Sequence, residues 1–394
     1  MPTETCAASL VDVVCQGSPY QMGLIQGQGL RDKIRASRGA LAELEAFRLE
    51  QPRWLPFAAF RHLAERRAAR LMAQSLAREH PEMHQRLTGI AAGSGVRLGP
   101  LYLLNALESF LSSVEGRTVR PGLGACSALA VRGSRSASGE PMIARNFDYL
   151  PLVQPFYVLR DSRPRGRNRS LDFTVAPLAG AVDGLNEQGL AITYNYAFTV
   201  DTPSARTPIT MAIAEAMGRC STVAEGAELI ASRARWGGGI LMLADAGGDI
   251  ASLELSNSRS HLRRPEPGQD ALFHTNAFCS EPMRAVQAPT DAVFTSRAPL
   301  ALRGRRVMES SEMRDRRLAR LMERGEPLDP DQLARMMSDH GDEGVASGTT
   351  LCMHSDYWHT TASLQYFPKS RRMRVAFAPT CNAQYRELSL ELGT

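Results

Sequence analysis

The sequence predicts an α+β protein in which a helical N-terminal segment precedes a segment built mainly from strands. Between residues 31 and 115, apolar side chains recur at helical spacing, and prolines divide the stretch into separate helices. From residue 126 onward, short apolar runs bounded by turns are typical of strands. The sequence contains no internal repeat. We therefore expect residues 1–125 and 126–394 to form these two segments of one globular unit.

The composition indicates an ordinary globular chain that is long enough to bury a large core. The formal net charge of +5 is spread along the chain and is carried by arginine, since Lys33 and Lys369 are the only lysines. This distribution gives no reason to expect a nucleic-acid partner. No apolar run has transmembrane length and no signal-peptide pattern is present, so we expect neither a membrane partner nor secretion.

The seven cysteines have irregular spacings that match neither a disulfide framework nor a zinc motif. We therefore expect a reducing, cytoplasmic location, no metal and no cofactor. His80 and His84 have the spacing of a metal-binding pair, but no third ligand lies nearby in the sequence. Pro81 also marks a helix start there, so we interpret both as surface histidines.

The first elements are a short strand over residues 10–14 and a turn that leads into a helix carrying Gly23 and Gly27. Because these glycines lie one helical turn apart, they form a smooth stripe that another backbone can approach closely. A dinucleotide-binding loop is not expected, because the glycine order and a long preceding strand are missing. The helical stretch then ends in a predicted Gly/Pro linker over residues 116–125.

Residues 124–131 (GACSALAV) place Cys126 at the start of an apolar strand. A second strand over 140–148 returns beside it and carries Arg145 and Asp148. The thiolate is the reactive form of cysteine, so a nucleophilic thiol needs a neighbouring cation to lower its pKa and a base to accept its proton. Arg145 can supply the cation, and a cut immediately before the cysteine would supply a free α-amine as the base.

The remaining chain alternates strands with helices. Thr222 and Glu225 form a predicted capping box, and Asp329 precedes Pro330 at a predicted helix start. The predicted elements are a strand after the turn at 183–190, helices over 207–218 and from 222, strands over 239–245 and 250–255, helices over 311–323 and 330–338, and three C-terminal strands.

These motifs, in this order, resemble the N-terminal-nucleophile hydrolases. In particular they resemble the isopenicillin N acyltransferase (acyl-CoA:6-aminopenicillanic acid acyltransferase) family, which is related to the choloylglycine hydrolases. The matching motifs are Gly-x-Pro-Tyr-x-x-Gly-x-x-x-Gly at 17–27, the strand-initial cysteine, Arg-Asn-x-Asp at 145–148, Asn-Glu-x-Gly-Leu at 186–190, His-Thr-Asn at 274–276 and Ser-Arg at 296–297. The resemblance implies a four-layer αββα sandwich with an added helical N-terminal layer that shapes the pocket.

The resemblance also implies the catalytic residues. Cys126 is the expected nucleophile, Arg145 favours its thiolate, and Asp148 orients the α-amine. Asn195, through its side-chain NH2 or its backbone N–H, is expected to donate to the oxyanion of the tetrahedral intermediate. Asn276 and Arg297 are expected to position the substrate.

The resemblance further implies that the precursor cuts itself between Ala125 and Cys126 by an N-to-S acyl shift. The freed α-amine has a reference pKa of about 7.7–8.0, which suits a base at neutral pH. Ala125 stands where glycine is common in the acyltransferases, and a longer turn separates Cys126 from Arg145; both differences bear on the efficiency of the cut. A homo-oligomer and a processed two-chain heterodimer are both left open.

Three functions remain open from the sequence. The first is an amidohydrolase or acyltransferase of secondary metabolism that acts on a small acyl amide or acyl thioester through acyl-Cys126. The second is a catalytically inert binding or scaffold protein with the same fold. A peptidase is less favoured, because self-cleavage is a single turnover. His340 could serve as a triad histidine for Cys126, but it follows a helix end, where histidine often caps carbonyls.

Overall fold

The computed structural model describes residues 11–323 and 325–390, and the predicted α+β class is confirmed within them. The α-helices of this part of the chain are α1 (Pro19–Gly29), α2 (Arg31–Ala40), α3 (Glu45–Leu49), α4 (Phe57–Glu79), α5 (Pro81–Ser94), α6 (Leu98–Leu111), α7 (Ile209–Arg219), α8 (Val223–Ser232), α9 (Glu281–Arg284), α10 (Glu309–Met322) and α11 (Pro330–Met337). None of these described helices is both long and apolar enough to cross a bilayer.

One strand, β1, precedes the first helical segment, and the other strands follow that segment and alternate with the later helices. They are β1 (Val13–Gly17), β2 (Ser113–Glu115), β3 (Thr118–Arg120), β4 (Ala125–Val131), β5 (Met142–Tyr149), β6 (Tyr157–Pro164), β7 (Ser170–Val175), β8 (Asp183–Asn186), β9 (Ala191–Ala197), β10 (Gly238–Ala244), β11 (Ile250–Leu255), β12 (Ser260–Arg263), β13 (Ala271–His274), β14 (Val293–Phe294), β15 (His359–Phe367), β16 (Arg372–Ala376) and β17 (Arg386–Ser389).

The strands form three sheets. The largest has the order β1-β6-β7-β8-β9-β10-β11-β12, the second has the order β13-β4-β5-β15-β16-β17, and β14-β3-β2 form a small third sheet. The two larger sheets contact each other where β4 and β5 lie against β9 and β10. Helices α1, α7 and α8 contact the first sheet, and α10 and α11 contact the second.

Side-chain alternation along β4 decides where its cysteine points. Leu129 and Val131 pack in a cluster with residues of α10 and α11 such as Leu318. Ala128 and Ala130 belong to the main core with the eight-stranded sheet. Because successive strand residues point to opposite faces, Cys126 shares the face of these alanines and points between the two sheets.

The glycine stripe on α1 is confirmed, and it packs against α5. A Cβ atom added at Gly23 would lie 1.9 Å from the carbonyl oxygen of Arg86, and one added at Gly89 would lie 2.2 Å from the carbonyl oxygen of Tyr20. The two helix backbones therefore meet directly, which only glycine allows.

We expect Gly23→Ala to lower the free energy of unfolding by about 2–4 kcal/mol, because the methyl group would force the two helix backbones apart. Gly39→Ala on α2 is the matched control, because nothing lies within 4 Å of a Cβ atom added there. The control is expected to be neutral or to gain up to about 1 kcal/mol from helix propensity. Urea unfolding of both variants tests this, and equal stabilities would contradict the close contact.

Several predicted elements need correction. The strand expected at 10–14 is β1, which begins at Val13, and residue 10 lies outside the described residues. The linker expected over 116–125 contains β3, because the backbone of its Thr-Val-Arg stretch pairs with β2 and β14. Thr222 accepts a hydrogen bond from the Glu225 amide, but the Glu225 carboxylate accepts from Ser221, so the predicted capping box is only half formed. Asp329 caps α11 as expected.

The interpretation of His80 as a surface histidine is wrong. Its side chain is buried, and Nδ1 lies 3.1 Å from the carboxylate of Glu215 on α7. The acidic partner explains how an imidazole is accommodated in this interior position. His84 is half-buried, with Nε2 at 3.0 Å from the Tyr102 hydroxyl.

Candidate active site

The β4–β5 hairpin brings the predicted nucleophile next to the predicted cation. Cys126 lies opposite Phe147, and Ala128 lies opposite Arg145 in the antiparallel register. The Arg145 side chain donates from Nη2 to the Cys126 Sγ at 3.3 Å. The Cys126 side chain is buried but also lines a mostly apolar pocket.

The guanidinium of Arg145 is fixed by residues of the facing sheet. Its Nη1 donates to both carboxylate oxygens of Asp183 on β8, each at 2.5 Å. Its Nε donates to Asn195 Oδ1 at 3.3 Å, and Nη2 also donates to the Tyr194 carbonyl oxygen. Because both members of the Arg145–Asp183 pair are fully buried, each neutralises a charge that would otherwise be costly to bury.

The environment keeps the Cys126 thiol protonated in the uncut chain. Burial raises its pKa to about 12, an increase that the Arg145 guanidinium opposes and the Asp148 carboxylate reinforces. A base is therefore needed to generate the thiolate at neutral pH. The cysteine nitrogen is still an amide in the uncut chain, and its N–H donates to Asn276 Oδ1 at 2.9 Å.

Asp148 lies beside this nitrogen on the partner strand, opposite Ala125. Its Oδ1 accepts from the Thr360 hydroxyl at 2.5 Å, and its buried Oδ2 has no hydrogen-bond partner among the described residues. Burial raises the pKa of Asp148 to about 6, although Arg314 and Thr360 lower it. The carboxylate therefore has one oxygen available for a group near the start of β4.

The two asparagines also lie in the cluster. The Asn276 side chain donates to the Tyr196 carbonyl at 2.8 Å, and Asn195 donates to the Thr275 carbonyl at 2.9 Å. The side-chain amide of each asparagine is therefore oriented by a backbone carbonyl next to the other asparagine. The oxyanion role of Asn195 stays a prediction, and one hydrogen of its amide is already engaged.

Arg297 is not brought to this cluster. Its side chain is exposed, and its backbone N–H donates to the Thr295 hydroxyl in a local turn that directs the side chain outward. The role expected for Arg297, positioning the substrate, therefore stays a prediction. A different arginine, Arg314, lies beside Cys126, and sequence reasoning missed it.

Arg314 comes from α10 and is fully buried. Its Nη1 donates to the Cys126 carbonyl oxygen at 2.6 Å, and its Nη2 donates to Asn276 Oδ1 at 3.0 Å. Nη1 also lies 3.7 Å from Asp148 Oδ2. A signal was present in the sequence, because Ser311, Arg314 and Leu318 fall on one helical stripe and an arginine on a buried stripe needs a partner.

The pocket that reaches Cys126 has an empty volume of about 1060 Å³, including its part open to solvent. Most of its walls are apolar, and both sequence segments contribute to them. Leu41, Leu44 and Leu104 come from the N-terminal helices and their connections, whereas Phe147 and Ile209 come from the strand-rich segment.

One acid, Glu108 on α6, lines the same pocket and accepts a hydrogen bond from the Tyr194 hydroxyl at 3.0 Å. Burial raises its pKa to about 7, although Tyr194 and Arg145 lower it. Because the pKa of Glu108 is raised in the folded state, its neutral carboxyl contributes fully to the free energy of unfolding below about pH 4.5. This contribution is lost as the pH rises towards 7.

We expect Glu108→Gln to be more stable than the wild type at pH 8 by about 2 kcal/mol and equal to it near pH 4.5. The full pKa shift would predict a larger difference in the free energy of unfolding, but solvent partly screens the half-buried carboxylate. Urea unfolding at both pH values measures the difference. Glu43→Gln, at an exposed position, is the control and is expected to show no such pH dependence.

A model of the family described as acyl-coenzyme A:6-aminopenicillanic acid acyl-transferase matches residues 135–381, which is more than half of the chain. The matched range contains Arg145, Asp148, Asn195 and Asn276 and begins after Cys126. No curated protein sequence matches the chain.

Three solved structures are similar to the chain at low identity. An N-acylethanolamine-hydrolyzing acid amidase ortholog from Caenorhabditis elegans is 13% identical, with 62% of this chain and 93% of that chain covered and a TM-score of 0.43. A mutant conjugated bile acid hydrolase from Clostridium perfringens is 12% identical, with 67% and 92% covered and a TM-score of 0.41. Penicillin V acylase from Agrobacterium tumefaciens is 13% identical, with 67% and 86% covered and a TM-score of 0.36. With the family model spanning most of the strand-rich segment, the chain belongs to the acyl-coenzyme A:6-aminopenicillanic acid acyltransferase family.

Proposed function

We propose that the chain is a self-processing cysteine amidohydrolase or acyltransferase that works through an acyl-Cys126 intermediate. The observation that carries the proposal is the position of the Cys126 thiol. It lies 3.3 Å from the Arg145 guanidinium and borders a large apolar pocket, while the nitrogen of the same residue is held by Asn276.

In the processing step, the Cys126 sulfur attacks the carbonyl carbon of Ala125. The C–N bond breaks, a thioester forms, and the thiol proton passes to the departing nitrogen. Water then cleaves the thioester, adding OH to the Ala125 acyl group and H to the sulfur. The products are a carboxyl end at Ala125 and a free amine on Cys126, which stays within reach of Asn276 Oδ1.

In turnover, the free α-amine accepts the thiol proton as the sulfur attacks the acyl carbon of the substrate. Arg145 favours the thiolate. Oδ2 of Asp148, which has no hydrogen-bond partner among the described residues, can accept a hydrogen bond from the resulting ammonium. Asn195 is the proposed oxyanion donor. The leaving amine or thiol takes the proton from the ammonium, and water or an acceptor amine then releases the acyl group from sulfur.

The pocket supports an apolar acyl group as the part of the substrate that is bound. Its leucine-rich walls match the usual apolar lining of sites that enclose small organic ligands. An acyl amide and an acyl thioester both fit this chemistry. The description of the family names an acyl-coenzyme A donor.

We also propose that the two facing sheets and the helices outside them form the four-layer sandwich of the N-terminal-nucleophile hydrolases. Processing would then leave residues 1–125 as a helical chain and residues 126–394 as the catalytic chain. The contribution of both segments to one pocket supports their remaining associated.

Denaturing electrophoresis and intact mass test the processing step. We expect two fragments from the wild type, with Cys126 at the start of the second, and one uncut chain from Cys126→Ala. Cys220→Ala is the matched control and is expected to be cut like the wild type, because this buried cysteine lies at the end of α7.

Incubation of the mature protein with a panel of acyl-coenzyme A thioesters and acyl amides tests the chemistry. A mass adduct of the acyl group on Cys126 is expected. An uncut wild-type chain that takes up no acyl group and does not react with iodoacetamide at Cys126 would instead favour an inert scaffold.

A further inference from the structure

A second group of reactive side chains lies behind β5, outside the pocket. One residue follows α11, two lie in the loop before β15, and one lies in the short 3-10 turn before β17. We call them the Cys/His cluster, and its members are His340, Cys352, His354 and Cys381. One ligand atom from each residue lies within 4.8 Å of all the others.

The internal distances of this cluster fit a tetrahedral ion. His354 Nε2 lies 3.5 Å from the Cys352 sulfur and 3.5 Å from the Cys381 sulfur. With Zn–S near 2.3 Å and Zn–N near 2.0–2.1 Å, tetrahedral angles place a nitrogen and a sulfur ligand about 3.5 Å apart. These two distances therefore match the separation of nitrogen and sulfur ligands that share a zinc ion.

His340 supplies the second, independent observation. Its Nε2 is buried and has no hydrogen-bond partner in the described part of the chain. A buried ring nitrogen without a partner is costly. Its ring packs edge-on against His354, with the ring centroids 5.3 Å apart. An ion bound by the cluster would satisfy this nitrogen.

We propose that the Cys/His cluster is a structural zinc site with two thiolate and two imidazole ligands. Zinc is favoured over magnesium or calcium because the donors are sulfur and nitrogen rather than oxygen. All four tetrahedral positions are filled by the protein, so no position is left for substrate. This proposal replaces our sequence-based expectation that the chain binds no metal.

Cysteine binds zinc as the thiolate, and histidine binds it through a neutral ring nitrogen. Zinc binding at the cluster is therefore expected to displace the thiol protons of Cys352 and Cys381, which makes the affinity fall at low pH.

The three segments that carry the cluster all attach to one side chain of β5, Asn146. Its Nδ2 donates to the carbonyl oxygens of Met337 at 2.7 Å and Leu351 at 2.8 Å. Its Oδ1 accepts from the Thr380 hydroxyl at 2.7 Å. Thr380 and Leu351 each precede a cysteine of the cluster, and Met337 ends the helix before His340. The ion would cross-link the same segments that Asn146 anchors.

The site also connects to the carboxylate of the proposed active site. Met353, between two cluster residues, donates its backbone N–H to the Thr360 hydroxyl oxygen at 2.7 Å. The same hydroxyl donates to Asp148 at 2.5 Å. We infer that zinc fixes the orientation of Asp148 through this loop; only this last link rests on the proposed function.

Metal analysis of the purified full-length chain tests the site. We expect about one zinc ion per chain that survives dialysis. Cys352→Ser and Cys381→Ser are each expected to lose it, whereas Cys220→Ser is the matched control and should keep it. Cys126→Ala should also keep it, so a failure of the proposed enzyme function would leave this result unchanged.

A titration of the metal-depleted wild type with cobalt(II) tests the geometry without a variant that could misfold. Strong visible bands of tetrahedral cobalt and a thiolate charge-transfer band in the near ultraviolet are expected. An octahedral cobalt spectrum, or a protein that folds fully and binds neither metal, would overturn the proposal. A Cys352–Cys381 disulfide found by alkylation and mass would overturn it as well.

Discussion

Replacing Arg314 with methionine is expected to slow acylation of Cys126 by at least about 100-fold. The substitution removes the hydrogen bonds to the Cys126 carbonyl and to Asn276, and it removes the cation beside Asp148. The loss would alter both the position of the Cys126 backbone and the charge around the α-amine of Cys126, and acylation depends on both. The rate of adduct formation with an acyl thioester, followed by intact mass, measures the effect, and the fraction of cut chain measures processing in the same samples.

The matched control is Arg297→Met, which makes the same change at an exposed position. We expect its acylation rate to stay within about twofold of the wild type. A large loss in Arg297→Met together with normal acylation in Arg314→Met would show that the arginine of the Ser-Arg motif is the functional one. The motif and the geometry thus make opposite predictions that one pair of variants separates.

Asp183→Asn is expected to lower the free energy of unfolding by about 3–5 kcal/mol, because it leaves the buried Arg145 without its counter-charge. Asparagine keeps the shape of the side chain, so the effect reports on charge rather than on volume. The acylation rate of Cys126 should fall as well, because the same guanidinium donates to its sulfur.

Asp291→Asn provides the control for this change. Its carboxylate pairs with Arg117 at 3.0 Å, and both side chains are exposed. Pairs of that kind contribute about 0–1 kcal/mol. Urea unfolding of both variants compares the two sites, and equal losses would contradict a special role for the buried pair.

The sequence was most informative where residues that act together are also close along the chain. Cys126, Arg145 and Asp148 belong to one predicted hairpin, and strand pairing brings them together in the structure. The resemblance to a known family added Asn195 and Asn276, whose motifs are local. The family was predicted from these motifs, and the α+β class was predicted from the change from helical to strand-like spacing. Both predictions are confirmed.

The residues that were missed are those brought in by tertiary packing. Asp183 lay in a stretch that we interpreted only as a turn, and nothing local indicates that it faces an arginine of another sheet. Arg314 is far from Cys126 in sequence, although its place on a buried helical stripe was a readable signal. Arg297 was chosen by motif alone, and a local turn directs it to solvent.

The Cys/His cluster shows the same limit for metal sites. Its ligands come from three separated segments, and only Cys352 and His354 are close in sequence. Spacing rules recognise zinc motifs whose ligands come in close pairs. An expectation of no metal based on such rules therefore does not extend to ligands that are assembled by the fold.

The shared walls of the pocket have an evolutionary consequence. If the chain is cut before Cys126, the reacting atoms belong to one polypeptide, whereas Leu41, Leu44, Leu104 and Glu108 belong to the other. Mutations in the leading fragment could then alter which acyl groups are accepted without touching the chemistry. Relatives with diverged leading fragments should share a mechanism and differ in their preferred substrates.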